Sequence, residues 1–210
     1  MSKSVTKGFT LIELLIVIGI LAVLATVTLL VLNPAQMFAQ ARDSQRISDL
    51  NTVKSAVSLY LSTASSPVLA TGTDGVDCAT NFWGTFATTT GATAGAALFG
   101  NSARTTFKSP TSATTTVGLG GWIPVPLDTM SGGSPISALP LDPSNIVNGT
   151  NTNAATAYYY ACSSTQMTFK LVGQLESTRY SNGGPEDKES TDGGTNAAYY
   201  ETGTNISASL

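Results

Sequence analysis

The chain of 210 residues has no histidine, only two cysteines and few charged residues, and each shortage excludes a class of function. Without histidine there is no imidazole for a general base, a catalytic triad or a metal ligand. Two cysteines cannot form a four-thiolate zinc site. Charged residues make up 11 % of the chain, against about 25 % in an average protein, which argues against a charge-rich disordered chain. The net charge of −3 argues against a nucleic-acid-binding surface.

Charge is missing altogether from one long run near the N-terminus. Residues 14–41 carry no charged side chain, and 20 of the 24 residues in 9–32 are apolar or glycine. A helix crosses the hydrocarbon layer with roughly 20 such residues, so residues 9–32 are predicted to form a transmembrane helix. Lys3 and Lys7 precede it. By the positive-inside rule the N-terminus is cytoplasmic and most of the chain lies on the other side of the membrane.

One ionisable residue, Glu13, lies inside this apolar run. A secretory signal peptide would have an apolar region of about 7–15 residues and a small-residue cleavage site. Residues 39–41 (Ala-Gln-Ala) supply the small residues, but the apolar run is too long for that class. A carboxylate in a membrane is costly and by default functional. Glu13 is therefore the first candidate functional residue, and a glutamate tolerated near the membrane surface is the alternative.

The segment Lys7-Gly8-Phe9-Thr10-Leu11-Ile12-Glu13-Leu14 resembles the processing site of type IV prepilins and the related pseudopilins. The resemblance implies a leader at residues 1–8, cleavage between Gly8 and Phe9 by a prepilin peptidase, and N-methylation of Phe9. It also implies partners: the peptidase/methyltransferase, other copies of the chain, minor pilins and the inner-membrane assembly machinery. The implied location is a single pass of the cytoplasmic membrane before assembly and a cell-surface filament afterwards.

Cleavage at Gly8 would give Glu13 a charged partner on another copy of the chain. It would free an ammonium group on Phe9, four residues or about 6 Å of helix before Glu13. In a low-dielectric environment, attraction between the Glu13 carboxylate and the ammonium group of a neighbouring copy is several-fold stronger than in water. An unpaired charge there would cost several kcal/mol. Glu13 is therefore predicted to fix the axial offset between assembling helices.

Residues 33–66 are predicted to continue the helix as an amphipathic segment. Apolar residues recur mostly at steps of three or four, and charged residues occupy the other face. Asn33-Pro34 interrupts the helix, because proline removes a hydrogen-bond donor and restricts the residue before it. Proteins of the pilin family often carry their helix-weakening proline where Leu30 stands here. The apolar face comprises Ala41, Ile47, Leu50, Val53, Val57 and Tyr60, and the charged face Arg42, Asp43, Arg46, Asp49 and Lys54.

Residues 67–210 are predicted to form a β-rich domain outside the cytoplasm. Alternation in residues 167–176 indicates a half-buried strand, and residues 158–162, 122–125 and 197–201 are further candidates. Residues 85–118 contain 11 threonines, so a Thr/Ala/Gly-rich surface loop is expected at about 84–120. The predicted fold class is α+β: a long N-terminal helix packed on a small antiparallel sheet, which buries both apolar faces. The pilin family has the same layout.

Two further sites are predicted in this domain. Cys78 and Cys162 lie in the part of the chain that faces an oxidising environment, so a disulfide is predicted, with two unpaired buried thiols as the alternative. An acidic stretch rich in oxygen ligands raises calcium as a cofactor, as in the C-terminal loop of major pseudopilins. A solvated polar turn is the alternative. The acidic residues are Glu186, Asp187, Glu189 and Asp192.

The sequence predicts a structural protein, not an enzyme. It contains no nucleophile–base spacing, phosphate-binding loop or metal motif. The predicted function is the pilin subunit of a type IV pilus-like filament, with a type II secretion pseudopilin as the alternative. A membrane-tethered or secreted hydrolase is the alternative from another class. A hydrolase would start near Arg42 after cleavage, whereas a pilin would start at methylated Phe9.

Overall fold

A computed structural model describes residues 8–71, 77–85, 98–99, 106–108, 115–118, 120–144 and 157–207. It confirms the predicted α+β fold, a long helical N-terminal stretch followed by a small sheet. The chain divides into two units between Phe38 and Ala39, and residues 39–210 are called the head below. The elements are α1 (Leu11–Leu32), α2 (Pro34–Thr63), β1 (Asn81–Gly84), β2 (Thr106–Lys108), a short 3-10 helix (Leu127–Thr129), β3 (Tyr158–Ser163), β4 (Thr168–Gly173) and β5 (Tyr200–Gly203).

The five strands form one sheet in the order β2-β1-β3-β4-β5. Four of them pair antiparallel, and β2 lies parallel to β1 at the edge. The predicted strands at 158–162 and 167–176 pair as the β3–β4 hairpin, and the strand expected at 197–201 is found slightly later, as β5. Residues 122–125 are buried but do not form a strand. Pro124 cannot donate a ladder hydrogen bond, which explains the difference.

The part of α2 from Ala39 onward packs on one face of the sheet. Alternate residues of β3 and β4 point towards this helix, as the two-residue period predicts. Trp122 is buried in the core between this helix and the sheet, and its Nε1 donates to the carbonyl oxygen of Pro140 at 3.0 Å. Burial of each large apolar side chain contributes about 1.5–3 kcal/mol. The main members are Leu50, Val53, Val57, Tyr60, Trp122, Tyr158, Tyr160, Phe169 and Leu171.

A second core covers the opposite face, so the prediction of a half-buried strand is wrong for β4. Val172 is fully buried there and packs with residues from the stretch expected to be a surface loop at about 84–120. Of that loop, residues 98–99, 106–108, 115–118 and 120 are described beyond β1 and Thr85, and the remainder lies outside the described residues. The large apolar side chains Leu98, Phe99 and Phe107 of this stretch cover the second face of the sheet. The second core comprises Phe82, Leu98, Phe99, Ala157, Tyr159, Ala161 and Val172, with Phe107 packed against it.

The polar residues of β4 and β5 on this second face are paired. Lys170 and Glu201 are buried, and Lys170 Nζ lies 3.1 Å from Glu201 Oε1. Lys170 Nζ also donates to the hydroxyl of Thr195 at 3.0 Å. Buried charges are tolerated when they are paired and hydrogen-bonded. Lys170 therefore points to the face of the sheet opposite to that of its apolar neighbours Phe169 and Leu171, and it is nevertheless buried.

Three residues of the predicted charged face of α2 are buried: Asp43, Arg46 and Asp49. Arg46 joins the helix to two loops of the head. Its guanidinium lies 2.7 Å from each of Asp43, Asp142 and Glu176. Every charge in this cluster has an opposite charge in contact, which is the condition for burying it.

Asp49 does not belong to the charge cluster around Arg46. The hydroxyl of Tyr158 donates to its Oδ2 at 2.9 Å, and the amide of Gln45 donates to Oδ1 at 2.6 Å. Burial raises the pKa of Asp49, and these two hydrogen bonds partly oppose the shift. Arg46 therefore pairs with Asp43, three residues before it, while Asp49, three residues after it, is held by Tyr158 and Gln45.

The predicted disulfide between Cys78 and Cys162 is present. It joins the segment before β1 to β3, and both cysteines are buried in the helix-side core. The bond closes a loop with a sequence separation of 84 residues. Closure of such a loop stabilises the fold by roughly 4 kcal/mol in the chain-entropy view.

Glu176 gives the head a pH dependence in the acid range. Hydrogen bonds from Arg42, and then from Arg46, lower its pKa from 4.5 to about 2. The stabilising effect of the charged Glu176 is therefore complete above its unfolded pKa and is lost as the pH falls through the folded value. We expect the free-energy difference between wild type and Glu176→Gln, measured by denaturant unfolding, to be largest near neutral pH and to approach zero near pH 2. A difference that does not change with pH would contradict this role for Glu176.

Candidate functional site

The predicted processing site lies in non-helical chain just before α1. Phe9 is 89 % exposed, and a Cβ added at Gly8 would meet nothing within 4 Å. The rest of the predicted leader, including Lys3 and Lys7, lies outside the described residues. An exposed, non-helical peptide bond is the kind that proteases cleave. The geometry of Gly8 and Phe9 is therefore compatible with cleavage between them.

Glu13 closes a capping box at the start of α1. The backbone N–H and the hydroxyl of Thr10 each donate to Glu13 Oε2 at 2.8 Å, and the N–H of Glu13 donates to Thr10 Oγ1 at 3.3 Å. This arrangement satisfies donors that the first turn of a helix leaves free. Thr-x-x-Glu is the sequence signature of a capping box, a role that was not predicted for Glu13. Glu13 therefore has a structural role in its own chain, besides any role between chains.

The surface of α1 is apolar and uncovered. Its 22 residues span about 33 Å, and their length and composition qualify the helix as a candidate membrane span, none of which is buried by the rest of the chain. The hydroxyls of Thr26 and Thr28 donate to the carbonyl oxygens of Ala22 and Ala25 at 2.8 and 2.9 Å. Both polar side chains are thus satisfied within the helix, as an apolar environment requires.

The helix breaks at Asn33. This residue adopts the left-handed conformation, with φ 40° and ψ 71°, and ends α1. Asparagine is one of the residues that tolerate this conformation at the end of a helix. Pro34 then begins α2, because its fixed φ suits the first helical position. The backbone is helical through Leu30, where the pilin family often has proline, so the break comes three residues later here.

The solvent-facing side of α2 within the head consists of small or uncharged residues. Ser44, Thr52 and Ser55 direct their hydroxyls back to carbonyl oxygens one turn earlier at 2.8–2.9 Å. None of the exposed residues of α2 between 39 and 63 is charged. The charged residues Arg42 and Lys54 of the same helix are half-buried. Its exposed members are Ala41, Ser44, Gln45, Ser48, Thr52, Ser55, Leu59, Ser62 and Thr63.

The carboxylates of the acidic stretch bond groups of the head itself, within the stretch and in the neighbouring strands' ends. Glu189 is buried and accepts the N–H groups of Leu175 and Asn182, both at 2.9 Å. Asp187 likewise accepts N–H groups of the same stretch, Asp192 accepts those of Gly194 and Glu201, and Glu186 pairs with Arg179. In the part of the chain that the structure describes, no three His, Cys, Asp or Glu residues form a group that could hold a metal ion. Calcium binding stays a prediction.

Comparison with known proteins identifies the N-terminal segment. Residues 3–29 match the prokaryotic N-terminal methylation motif. The match covers the predicted cleavage site, Glu13 and most of α1. No curated protein and no solved structure matches the chain.

Proposed function

Since the chain carries the prepilin-type signal of type IV pilins and pseudopilins, we propose that it is the structural subunit of a type IV pilus-like filament. The observation that carries this proposal is the position of the signal. Its glutamate lies in the first turn of an apolar helix long enough to span a membrane. Lipid covers such a helix before assembly, and the α1 helices of other copies cover it afterwards.

The Glu13 carboxylate favours one arrangement of those helices. Within a single chain it accepts hydrogen bonds from Thr10, but these donors carry no charge. The ammonium group of Phe9 on a neighbouring copy would supply the missing positive charge in an environment where charge pairing is strong. Offsets that leave the carboxylate without that partner are penalised. The proposed function is structural and requires neither a catalytic group nor a cofactor.

The head is suited to the outside of such a filament. The Cys78–Cys162 disulfide fits an extracytoplasmic location, where disulfides persist. The most exposed residues of α2 in the head are uncharged, so another copy that approaches it would desolvate little charge besides the partly exposed Arg42 and Lys54. The proposed partners are the prepilin peptidase and methyltransferase, further copies, minor pilins and the inner-membrane assembly machinery. The same signal occurs in secretion pseudopilins, which are the alternative assignment.

Leader cleavage, the first step of the proposed function, is tested by the N-terminus of the mature chain. We expect intact-mass analysis of protein purified from membranes of a host with prepilin peptidase to show a chain that begins at N-methylated Phe9. A Gly8→Leu variant should keep its leader, because the side chain obstructs the peptidase while nothing in the fold lies within 4 Å of that position. A mature chain that begins near Arg42, or a wild-type chain that keeps residues 1–8, would contradict the proposal.

Assembly into a filament, the second step of the proposed function, is tested by microscopy. Electron microscopy of surface filaments, labelled with antibody to the head, should show the chain along the length of the fibre. Label on the cell envelope but not on the filaments would contradict a pilin role.

A further inference from the structure

A lysine and a glutamate of neighbouring strands meet in the interior of the head. Lys170 lies on β4 and Glu201 on β5, and the side chains of both are fully buried. Lys170 Nζ lies 3.1 Å from Glu201 Oε1. An amine and a carboxyl group in contact are the two reactants of an amide bond. Well-oriented groups of one molecule can reach effective concentrations of about 10⁵–10⁸ M, so such a pair can react without any other partner.

The second oxygen of the Glu201 carboxyl group is held by the backbone. Oε2 accepts the N–H groups of Thr195 and Asn196, the latter at 3.2 Å. Gly194 permits this arrangement, because a Cβ at that position would collide with Oε2. Two N–H groups directed at one oxygen stabilise the negative charge that develops on it when a nucleophile attacks the carboxyl carbon.

The hydroxyl of Thr195 contacts both reacting groups. Lys170 Nζ donates to Thr195 Oγ1 at 3.0 Å, and Oγ1 lies within hydrogen-bond distance of Glu201 Oε1, at 3.5 Å. A hydroxyl group can accept one proton while it donates its own. Thr195 can therefore carry a proton from the amine to Oε1.

We propose that Lys170 and Glu201 condense to an amide that joins β4 to β5. One proton of the Lys170 ammonium group passes to Glu201 Oε1, which leaves a neutral amine and a carboxylic acid, and burial favours this exchange because it penalises charge. Nζ then forms a bond to Cδ, and the negative charge develops on Oε2. A second proton moves through the Thr195 hydroxyl to Oε1, the Cδ–Oε1 bond breaks, and one water molecule leaves. The reaction requires no oxidant, cofactor or second protein.

The amide would fasten a strand that has little else to hold it. β5 has four residues and lies at the edge of the sheet, with β4 as its neighbour in the order of the strands. A short edge strand belongs to the parts of a fold that open most easily. The disulfide joins β3 to the segment before β1 and does not reach β5. Formation of the amide requires neither leader cleavage nor a filament.

The intact mass of the full chain, purified in detergent and fully reduced, tests the bond. After allowance for leader cleavage and N-methylation, we expect a mass that is one water molecule below that of the sequence. Fragmentation of a protease digest should show a branched peptide that joins residues 170 and 201. Lys170→Arg should have its full mass, because arginine keeps the charge but cannot become a neutral amine.

A wild-type chain of full mass would overturn the proposal, and so would loss of water in Lys170→Arg. Loss of water at another place would overturn it as well. Ring closure at Asp192-Gly193 is the case to distinguish, because it also releases one water molecule. Mild alkali reverses that ring closure, whereas an amide between side chains survives the treatment. The wild-type measurement decides the question even if Lys170→Arg does not fold.

Thr195→Val tests the proton path. It removes the hydroxyl but keeps the backbone N–H that holds Glu201 Oε2. With chains labelled in a short pulse of synthesis, we expect loss of water to be roughly a hundredfold slower than in wild type, the usual size of such proton-transfer effects. Thr202→Val is the matched control, because the hydroxyl of Thr202 bonds Asn51 of α2. Equal rates in the two variants would overturn the role of Thr195.

Discussion

Glu13→Ala should insert in the membrane and lose its leader normally, yet reduce filament yield to background. Insertion depends on the apolar length of α1, which the substitution increases. Assembly would lose the group that penalises wrong offsets between copies. The measurement is the ratio of sheared filament protein to membrane protein, with the mature N-terminus checked by intact mass.

A matched control separates this effect from the capping box. Thr10→Ala removes the hydroxyl that bonds Glu13 but keeps the carboxylate. Loss of an N-cap side chain costs about 1 kcal/mol, so Thr10→Ala should still form filaments. Glu13→Gln keeps an acceptor oxygen for Thr10 without the charge and should fail to assemble, as Glu13→Ala does. Normal filament yield in Glu13→Gln would show that capping, and not charge, is what assembly requires.

Arg46→Met should destabilise the head by about 3–5 kcal/mol, the typical cost of removing one member of a buried charge cluster. The substitution leaves Asp43 and Asp142 buried without their positive partner. Chemical denaturation of the full chain in detergent, followed by the fluorescence of the buried Trp83 and Trp122, measures the change.

Arg42→Met is the matched control for Arg46→Met. Arg42 lies one turn earlier on α2 and pairs with Glu176 where both side chains are more than a third exposed. Surface ion pairs contribute up to about 1 kcal/mol, so this variant should be close to wild type. Equal destabilisation by the two substitutions would show that the cluster does not depend on the burial of Arg46.

The sequence predicts the elements that depend on local patterns. The run of apolar residues at 9–32 is long enough to predict a helix that spans a membrane, and α1 occupies most of it. The alternation around Phe169 and Leu171 predicts β4, and its hairpin partner β3 follows from the tyrosine-rich segment. By contrast, β1 has only four residues, too few to show a two-residue period.

The burial of charged residues on α2 could not be predicted, because it depends on residues distant along the chain. Asp43 and Arg46 look like solvent-facing charges on α2, and their burial becomes favourable through Asp142 and Glu176, which follow Arg46 by 96 and 130 residues. Among the residues of the predicted site, the structure joins Glu13 to Thr10 but leaves Gly8 and Phe9 in open chain. Peptidase recognition and pairing between copies involve other molecules, so a single chain cannot display them.

Among the residues that the structure describes, the sheet separates two hydrophobic cores of the head, and α2 contributes to the first of them. Changes around Phe99 and Phe107 are therefore insulated from the helix by the backbone of the strands. Substitutions on that side should leave the packing of α2 on the sheet unchanged, whereas substitutions around Leu50 and Tyr160 alter it directly.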